Sequence, residues 1–181
     1  ASELLSLYQK HPNIARLISF MEPGENKTAH LNGLSGSSAA LVLAALSQIN
    51  RKARLILLTE REEAAYFFND LTHLLDEEHV YFFPSSYKRA IRMQQMDKDN
   101  ILMRTEVLNK LATRNNRPIV VTYPEALLER VVSRKELQSN TLIMRPGEKL
   151  GMDFVIEVLQ EYGFHRSDFV WEPGQYAVRG G

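Results

Sequence analysis

Apolar residues follow two spacings along this chain, and the two alternate. Runs of consecutive apolar residues, typical of strands covered on both faces of a parallel sheet, occupy residues 54–59, 80–83 and 118–123. Segments with an apolar residue every three or four positions, typical of helices, occupy residues 37–49, 60–75, 97–113 and 125–132. The alternation predicts an α/β fold: a parallel sheet with flanking helices, joined by right-handed crossovers.

The pattern also makes predictions for single elements. Two short helices, 2–9 and 12–21, precede a brief strand at 28–31. Ser35 or Ser37 is expected to cap the helix that follows. Some apolar side chains of the later helices are expected to face the sheet: Ala64, Phe67, Phe68 and Leu71 in one, and Ile101, Leu102, Leu108 and Leu111 in the other.

A polar segment at 133–140 indicates a boundary, so we predict one domain over 1–140 and a second over 141–181. The second part has a short strand at 141–144 and a helix at 152–162 that ends at Gly163. Two further strands, 168–171 and 175–179, are predicted to pair across a Pro-Gly turn. This set is too small to enclose a core alone, so we expect it to be the beginning of a small α+β domain.

A glycine-serine turn separates the first predicted strand from helix 37–49. Residues 33–40 read Gly-Leu-Ser-Gly-Ser-Ser-Ala-Ala and align in frame with the phosphate-loop pattern G-x-x-x-x-G-K-[ST]. Gly33 matches the pattern, and Gly36 is a further glycine of the turn. The sixth, seventh and eighth positions need glycine, lysine and a hydroxyl residue, but they are Ser38, Ala39 and Ala40.

The turn therefore lacks the cation that reaches the outer phosphates and the hydroxyl that holds magnesium. We predict the shape of a phosphate loop without its activity, with no bound cofactor. An ordinary strand-to-helix turn that never bound nucleotide fits the same pattern. A third alternative is a nucleotide-binding enzyme domain in which the backbone amides of 37–40 and the helix dipole bind ATP.

Composition narrows the partners. Lysine plus arginine and aspartate plus glutamate number 22 each, so no overall charge attracts the chain to nucleic acid or acidic lipid. Cysteine is absent, which removes disulfides and thiolate chemistry. The five histidines lack ligand spacing, so no metal site is expected. Without a spanning segment or signal peptide, we expect a cytoplasmic protein that is not bound to a membrane.

Longer stretches resemble a known family. They are TEREEAAYFFNDL from Thr59, the segment Tyr81-Phe-Phe-Pro, the segment that begins at Ile119, and EYGFHRSDFVWEPGQYAVRGG from Glu161. Together with the turn at Gly33 they are similar to the N-terminal region of bacterial transcription-repair coupling factors (Mfd), which shares its layout with the excision-repair subunit UvrB. The resemblance covers about 150 residues, far more than a chance motif.

The resemblance implies a UvrB-like domain that has lost its nucleotide motif, followed by the opening of a domain that binds UvrA. The arginine of the family's Arg-Gly pair takes part in the UvrA interface, which makes Arg179 a contact candidate. DNA translocation and RNA polymerase binding are implied for other parts of the full-length protein. The leading hypothesis is therefore a non-catalytic module that recruits UvrA in transcription-coupled nucleotide excision repair.

One departure favours the coupling factors over UvrB itself. UvrB carries a long, tyrosine-rich insertion after its third strand that threads damaged DNA. Here residues 85–100 are short and contain one aromatic residue, Tyr87, so they lack the faces that stack on bases. Lys88, Arg89 and Arg92 in this loop are interpreted as solvated residues rather than phosphate contacts. Trp171, near the C-terminal end, is either a packing residue or part of a partner surface.

Overall fold

A computed structural model of the chain describes residues 2–21, 27–75, 79–87, 97–113 and 116–179. Internal contacts divide the chain into two compact units, 1–131 and 132–181. The helices and strands of the first unit are α1 (Ser2–Gln9), α2 (Pro12–Phe20), α3 (Ser38–Ile49), β1 (Arg54–Leu57), α4 (Arg61–Leu74), β2 (Val80–Phe83), α5 (Lys98–Ala112), β3 (Ile119–Thr122) and α6 (Pro124–Leu128). Those of the second are α7 (Arg134–Ser139), α8 (Met152–Glu161), β4 (His165–Arg166) and β5 (Gln175–Tyr176).

The first unit is built on a three-stranded parallel sheet in the order β1-β3-β2. Ile119 of the central strand is in register with Arg54 on one side and Val80 on the other, and the ladders run to the strand ends. Each strand is followed by a helix, and α4 and α5 pack on the sheet. The parallel sheet with flanking helices confirms the predicted fold class.

The core lies where the central strand meets the helices. All four residues of β3 are buried, and Val121 has no exposed surface. Ala64 and Leu71 of α4 are fully buried, while Phe67 and Phe68 are half-buried against the same cluster, as predicted. The continuous apolar run of β3 therefore matches a strand that is covered on both faces.

The predictions for the first two strands, 28–31 and 54–59, are partly wrong. Residues 28–31 form no strand. In β1 the burial alternates, because Leu55 and Leu57 are 61% and 54% exposed while their neighbours are half-buried. Leu55 and Leu57 therefore lie on a face of β1 that the described residues leave largely uncovered. The strand is also at an edge of the sheet as described, so one of its backbone edges has no neighbouring strand.

Helix α5 turns a different face inward from the predicted one. Leu102 and Leu111 are 57% and 54% exposed, whereas Asn100, Arg104 and Val107 are buried. The helix is rotated in this way because the two buried polar side chains find hydrogen-bond partners at the end of β2 and in α6. Hydrogen bonds of this kind remove most of the cost of burying a polar group.

The second unit also departs from the prediction. Residues 141–144 are not a strand, and the predicted hairpin of 168–171 with 175–179 does not form. Instead β4 pairs with β5 in parallel, so that His165 is in register with Gln175. Helix α8 ends before Gly163, which has a positive φ of 78°, as expected for a residue that closes a helix.

The polar segment predicted as a boundary contains α7. Its first turn has a capping box, in which Ser133 and Glu136 satisfy each other's backbone amides. The division of contacts falls at residues 131 and 132. The assignment of 1–140 to a UvrB-like domain and of 141–181 to the start of a UvrA-binding domain stays a prediction.

Candidate functional site

The turn before α3 is shaped by two glycines. Gly33 and Gly36 have φ angles of 82° and 52°, in the left-handed region that other residues adopt at a cost. Residues 31–37 are exposed, and α3 begins at Ser38. The loop therefore has a compact glycine turn at the amino end of a helix, where phosphate loops bind anions.

Hydrogen bonds within the turn use some of the groups that a phosphate would need. The amide of Ser35 donates to Oγ of Ser38 at 2.7 Å, and the amide of Ser38 donates to the carbonyl oxygen of Ser35 at 3.1 Å. Ser37 occupies the position before the helix, but its side chain makes no capping hydrogen bond, so the capping prediction is wrong. The Ser38 hydroxyl closes the turn instead.

The two alanines are turned towards the protein. Ala40 has no exposed surface and belongs to the main core cluster, and Ala39 is half-buried. Neither side chain carries a charge or a metal-binding oxygen. Among the residues that the structure describes, no group of three or more histidines and carboxylates is arranged to hold a metal ion.

A second polar cluster lies at the carboxyl end of β2. Glu129, just after α6, accepts hydrogen bonds from both Ser85 and Ser86, including 3.0 Å from the Ser86 amide to each carboxylate oxygen. Arg104 donates to the carbonyl oxygens of Pro84 and Ala126 at 2.7 and 3.0 Å. Its Nη2 lies 3.6 Å from Oε2 of Glu129.

This arrangement is a clamp that ties α5 to the loop after β2 and to the end of α6. The guanidinium of Arg104 also stacks over the ring of Phe83, with 4.2 Å from Cζ to the ring centroid. Because every oxygen of Glu129 has a donor, the carboxylate is occupied by structural contacts rather than available for acid-base chemistry. We call Arg104, Glu129, Ser85 and Ser86 the arginine clamp.

The environment of the arginine clamp shifts the pKa values of Glu129 and Arg104. Burial alone would raise the pKa of Glu129, but the hydrogen bonds from Ser85 and Ser86 and the charge of Arg104 outweigh it and hold the pKa below its ordinary value. Burial lowers the pKa of Arg104, and the nearby carboxylate opposes that effect. Arg104 nevertheless stays charged, because a guanidinium does not lose its proton in proteins.

The lowered pKa of Glu129 predicts a loss of stability in acid. Its contribution is complete above the ordinary value of 4.5 and disappears as the pH falls through the lower folded-state pKa. We expect Glu129→Gln to be less stable than the unchanged chain by roughly 3 kcal/mol at pH 7. The difference should narrow below about pH 4.5, which urea unfolding at several pH values would measure. A difference that stays constant down to pH 3 would contradict this role.

Arg179 lies in the second unit, three residues beyond β5 and not on a strand as predicted. Its Nη2 donates to the carbonyl oxygen of Asp168 at 3.3 Å, and Cζ lies 4.3 Å from the ring centroid of Phe169. The guanidinium is therefore held in one orientation by a hydrogen bond and a cation-π contact. The residue is exposed, so its remaining donors face solvent or a partner.

Exposed apolar residues adjoin Arg179. Phe169 and Val170 are 55% and 56% exposed, and Trp171 is 83% exposed. The rings of Phe169 and Trp171 have centroids 6.0 Å apart, and the Trp171 amide donates to Oε1 of Gln175. We call Phe169, Val170, Trp171 and Arg179 the aromatic corner. Large aromatic residues beside arginine are typical of binding surfaces.

The predicted site residues thus fall into two places. The residues of the degenerate loop lie together in the first unit, and Arg179 lies in the second. Lys88, Arg89 and Arg92 lie outside the described residues. Sequence reasoning missed Arg104 and Glu129; the available signal was helical spacing, which puts Arg104 on one face with Asn100 and Val107.

Comparisons with known proteins agree with the fold. No family model matches the chain. It is 30% identical to the transcription-repair-coupling factor of Bacillus subtilis over 152 residues, which are 83% of this chain and 13% of that protein. The corresponding factor of Rickettsia bellii is 30% identical over 133 residues, 72% of this chain and 12% of that protein. UvrABC system protein B of Ureaplasma parvum is 25% identical over 195 aligned positions, 98% of this chain and 29% of that protein.

The fold and these relatives define the class of protein as a UvrB-like α/β region. More particularly, the chain is homologous to transcription-repair-coupling factors and corresponds to their N-terminal, UvrB-like region. It spans about an eighth of the length of the coupling factors that it matches. Within the described residues, no helix is long and apolar enough to cross a membrane.

Proposed function

We propose that this chain is a non-catalytic module that recruits UvrA during transcription-coupled nucleotide excision repair. Homology to coupling factors and to UvrB supports a role in nucleotide excision repair. Contacts with DNA and RNA polymerase belong, in this proposal, to other parts of a longer cytoplasmic protein. The first unit acts as a scaffold, and the second unit provides the surface for UvrA.

The observation that carries the recruitment role is the geometry of the aromatic corner. Arg179 is stacked on Phe169 and keeps donors exposed beside the most exposed aromatic residue of the corner, Trp171. A guanidinium fixed in this way loses little side-chain entropy when it forms a bidentate contact with a carboxylate. An exposed tryptophan adds apolar area that a partner protein can bury.

The absence of catalysis is proposed from the chemistry of the loop. The residues at the lysine and hydroxyl positions, Ala39 and Ala40, supply no phosphate counter-charge and no magnesium ligand. Of the amides of residues 37–40, that of Ser38 already donates to the carbonyl oxygen of Ser35 within the turn. This contact weighs against the alternative, an enzyme domain that binds ATP through the backbone amides of residues 37–40.

Hydroxyl-radical footprinting tests the recruitment role. Trp171 is the chain's only tryptophan, so its oxidation can be followed by mass spectrometry without ambiguity. We expect UvrA to protect the peptide that contains Trp171 while leaving the peptide of Tyr66 unchanged. Tyr66 is a suitable internal reference because it is 77% exposed and lies on the first unit. Equal oxidation of Trp171 with and without UvrA would contradict the proposal.

Equilibrium dialysis with ATP and magnesium separates the two candidate functions. Ser38→Asp places a carboxylate in the turn, and this carboxylate would repel the phosphates of ATP if they bound there. If the loop is inactive, the unchanged chain and Ser38→Asp will therefore bind the same amount of ATP. Neither protein should release phosphate. ATP binding that disappears in Ser38→Asp would show that the loop is a nucleotide site.

A further inference from the structure

A cavity of about 820 Å³ opens at the amino ends of the three parallel strands. Its wall includes Arg54 at the start of β1, His79 just before β2, and Arg117 just before β3. The last turn of α3 and the end of α4 complete it. The degenerate loop lies at the amino end of α3 and contributes none of the lining residues, so this cavity is a separate feature of the first unit.

The lining of the cavity is rich in groups that bind anions. Six of its residues are basic or imidazole side chains: Arg51, Lys52, Arg54, His73, His79 and Arg117. None of the described lining residues is acidic. Cations gathered in a concave site produce a focused positive potential.

Some of these cations serve the fold. The guanidinium of Arg54 donates to the carbonyl oxygens of Leu46 and Asn50 and so caps α3. Lys52 donates to the carbonyl oxygen of Met21 at 3.0 Å, and Arg117 donates to that of Arg51 at 2.6 Å. Neutral carbonyl oxygens do not cancel the charge of these side chains, so the positive potential remains.

Two groups have no structural use within the described residues. The Arg51 guanidinium is exposed and has no hydrogen bond or ion pair there, and the same is true of the His79 ring. In addition, Nε of Arg54 is buried and has no hydrogen-bond partner in the part of the chain that the structure describes. Capping of helix ends therefore explains Arg54 but not the convergence of Arg51 and His79 on the same cavity.

We propose that this cavity is a binding site for a compact oligophosphate anion, of the kind carried by pyrophosphate or a nucleoside diphosphate. Arg51 and Arg117 would contact the phosphates from the side of β1 and β3, and His79 from the side of β2. The volume lies in the range of small-molecule sites, and a concave shape suits a compact ligand better than a duplex backbone. Arginine suits this task because its planar donors match phosphate oxygens in pairs.

The test is a calorimetric titration of the 181-residue chain with pyrophosphate, with ADP and with adenosine, at low ionic strength and without magnesium. The variant Arg51→Glu reverses an exposed charge at the rim of the cavity and removes no described side-chain contact. Arg16→Glu is the matched control, because Arg16 is an exposed arginine of α2 that does not line the cavity. Circular dichroism of both variants confirms that they are folded.

We expect pyrophosphate and ADP to bind and adenosine not to bind. Arg51→Glu should weaken pyrophosphate binding by at least about tenfold, while Arg16→Glu should leave it within about twofold. Binding of pyrophosphate but not ADP would still support the site and would identify its ligand as an inorganic oligophosphate rather than a nucleotide. Failure of pyrophosphate to bind, an equal loss in both variants, or binding of adenosine as tightly as ADP would overturn the proposal.

Discussion

Replacement of Arg104 by alanine is expected to lower the free energy of unfolding by about 3–5 kcal/mol, because it removes the cation that faces the half-buried carboxylate of Glu129 and leaves two carbonyl oxygens without their donor. Arg104 is 6% exposed and joins three elements through the carbonyl oxygens of Pro84 and Ala126 and the carboxylate of Glu129. The variant loses these contacts and the stacking on Phe83 together. Urea unfolding followed by circular dichroism would measure the change.

Leu102→Ala is the control for this prediction. It truncates an apolar residue of the same helix that is 57% exposed, so its effect should stay within about 1 kcal/mol. The amphipathic pattern of the sequence predicts the reverse order, with the leucine as the costly change. A larger loss for Leu102→Ala than for Arg104→Ala would contradict the rotation of α5 and the arginine clamp.

Arg179→Glu is expected to weaken UvrA binding by roughly 30-fold or more, the effect of losing a hot-spot residue and placing a like charge against a carboxylate. The substitution also removes the cation-π contact with Phe169 and the hydrogen bond to Asp168. The affinity of Arg179→Lys for UvrA should lie between those of the unchanged chain and Arg179→Glu, because lysine keeps the charge and loses the planar pair of donors. Dissociation constants of UvrA for the three chains would measure the series.

Lys149→Glu controls for overall charge in this experiment. Lys149 is an exposed cation of the second unit that does not belong to the aromatic corner, and its reversal changes the net charge by the same amount. We expect it to leave the dissociation constant within about threefold of the unchanged chain. If both reversals weaken UvrA binding equally, general electrostatic attraction is responsible and Arg179 is not a specific contact.

Much of the first unit is predictable from the sequence because its signals are local. Continuous apolar runs identify β2 and β3, and helical spacing identifies α4 with Ala64 and Leu71 inward. The parallel sheet follows from the alternation of these elements. The burial of a strand is different, since it depends on which other elements cover its faces. The apolar run of β1 therefore suggested more burial than Leu55 and Leu57 have.

The failures come from contacts between residues that are distant in sequence. Arg104 is an unfavourable core residue until Pro84 and Glu129 supply its acceptors, so hydrophobic periodicity assigned the wrong face of α5. The parallel pairing of β4 with β5 was missed because a Pro-Gly turn is a strong local sign of a hairpin. The lining of the basic cavity is scattered from Leu5 to Ile119, and only the fold brings it together.

At the candidate sites, the sequence predicted residue chemistry better than it predicted geometry. The missing lysine and hydroxyl of the loop can be read from Ala39 and Ala40 directly. The burial of Ala40 and the closure of the turn by the Ser38 hydroxyl depend on packing and local hydrogen bonds. Likewise, Arg179 was a candidate from the resemblance, but its contact with Phe169 required the structure.

If this chain recruits UvrA, it binds UvrA without the help of a nucleotide. Calorimetric titration of UvrA into the unchanged 181-residue chain, in nucleotide-free buffer, measures that binding. We expect a saturable binding heat, which Arg179→Glu abolishes or greatly weakens. No binding heat from a chain that circular dichroism shows to be folded, or binding that Arg179→Glu leaves unchanged, would contradict it.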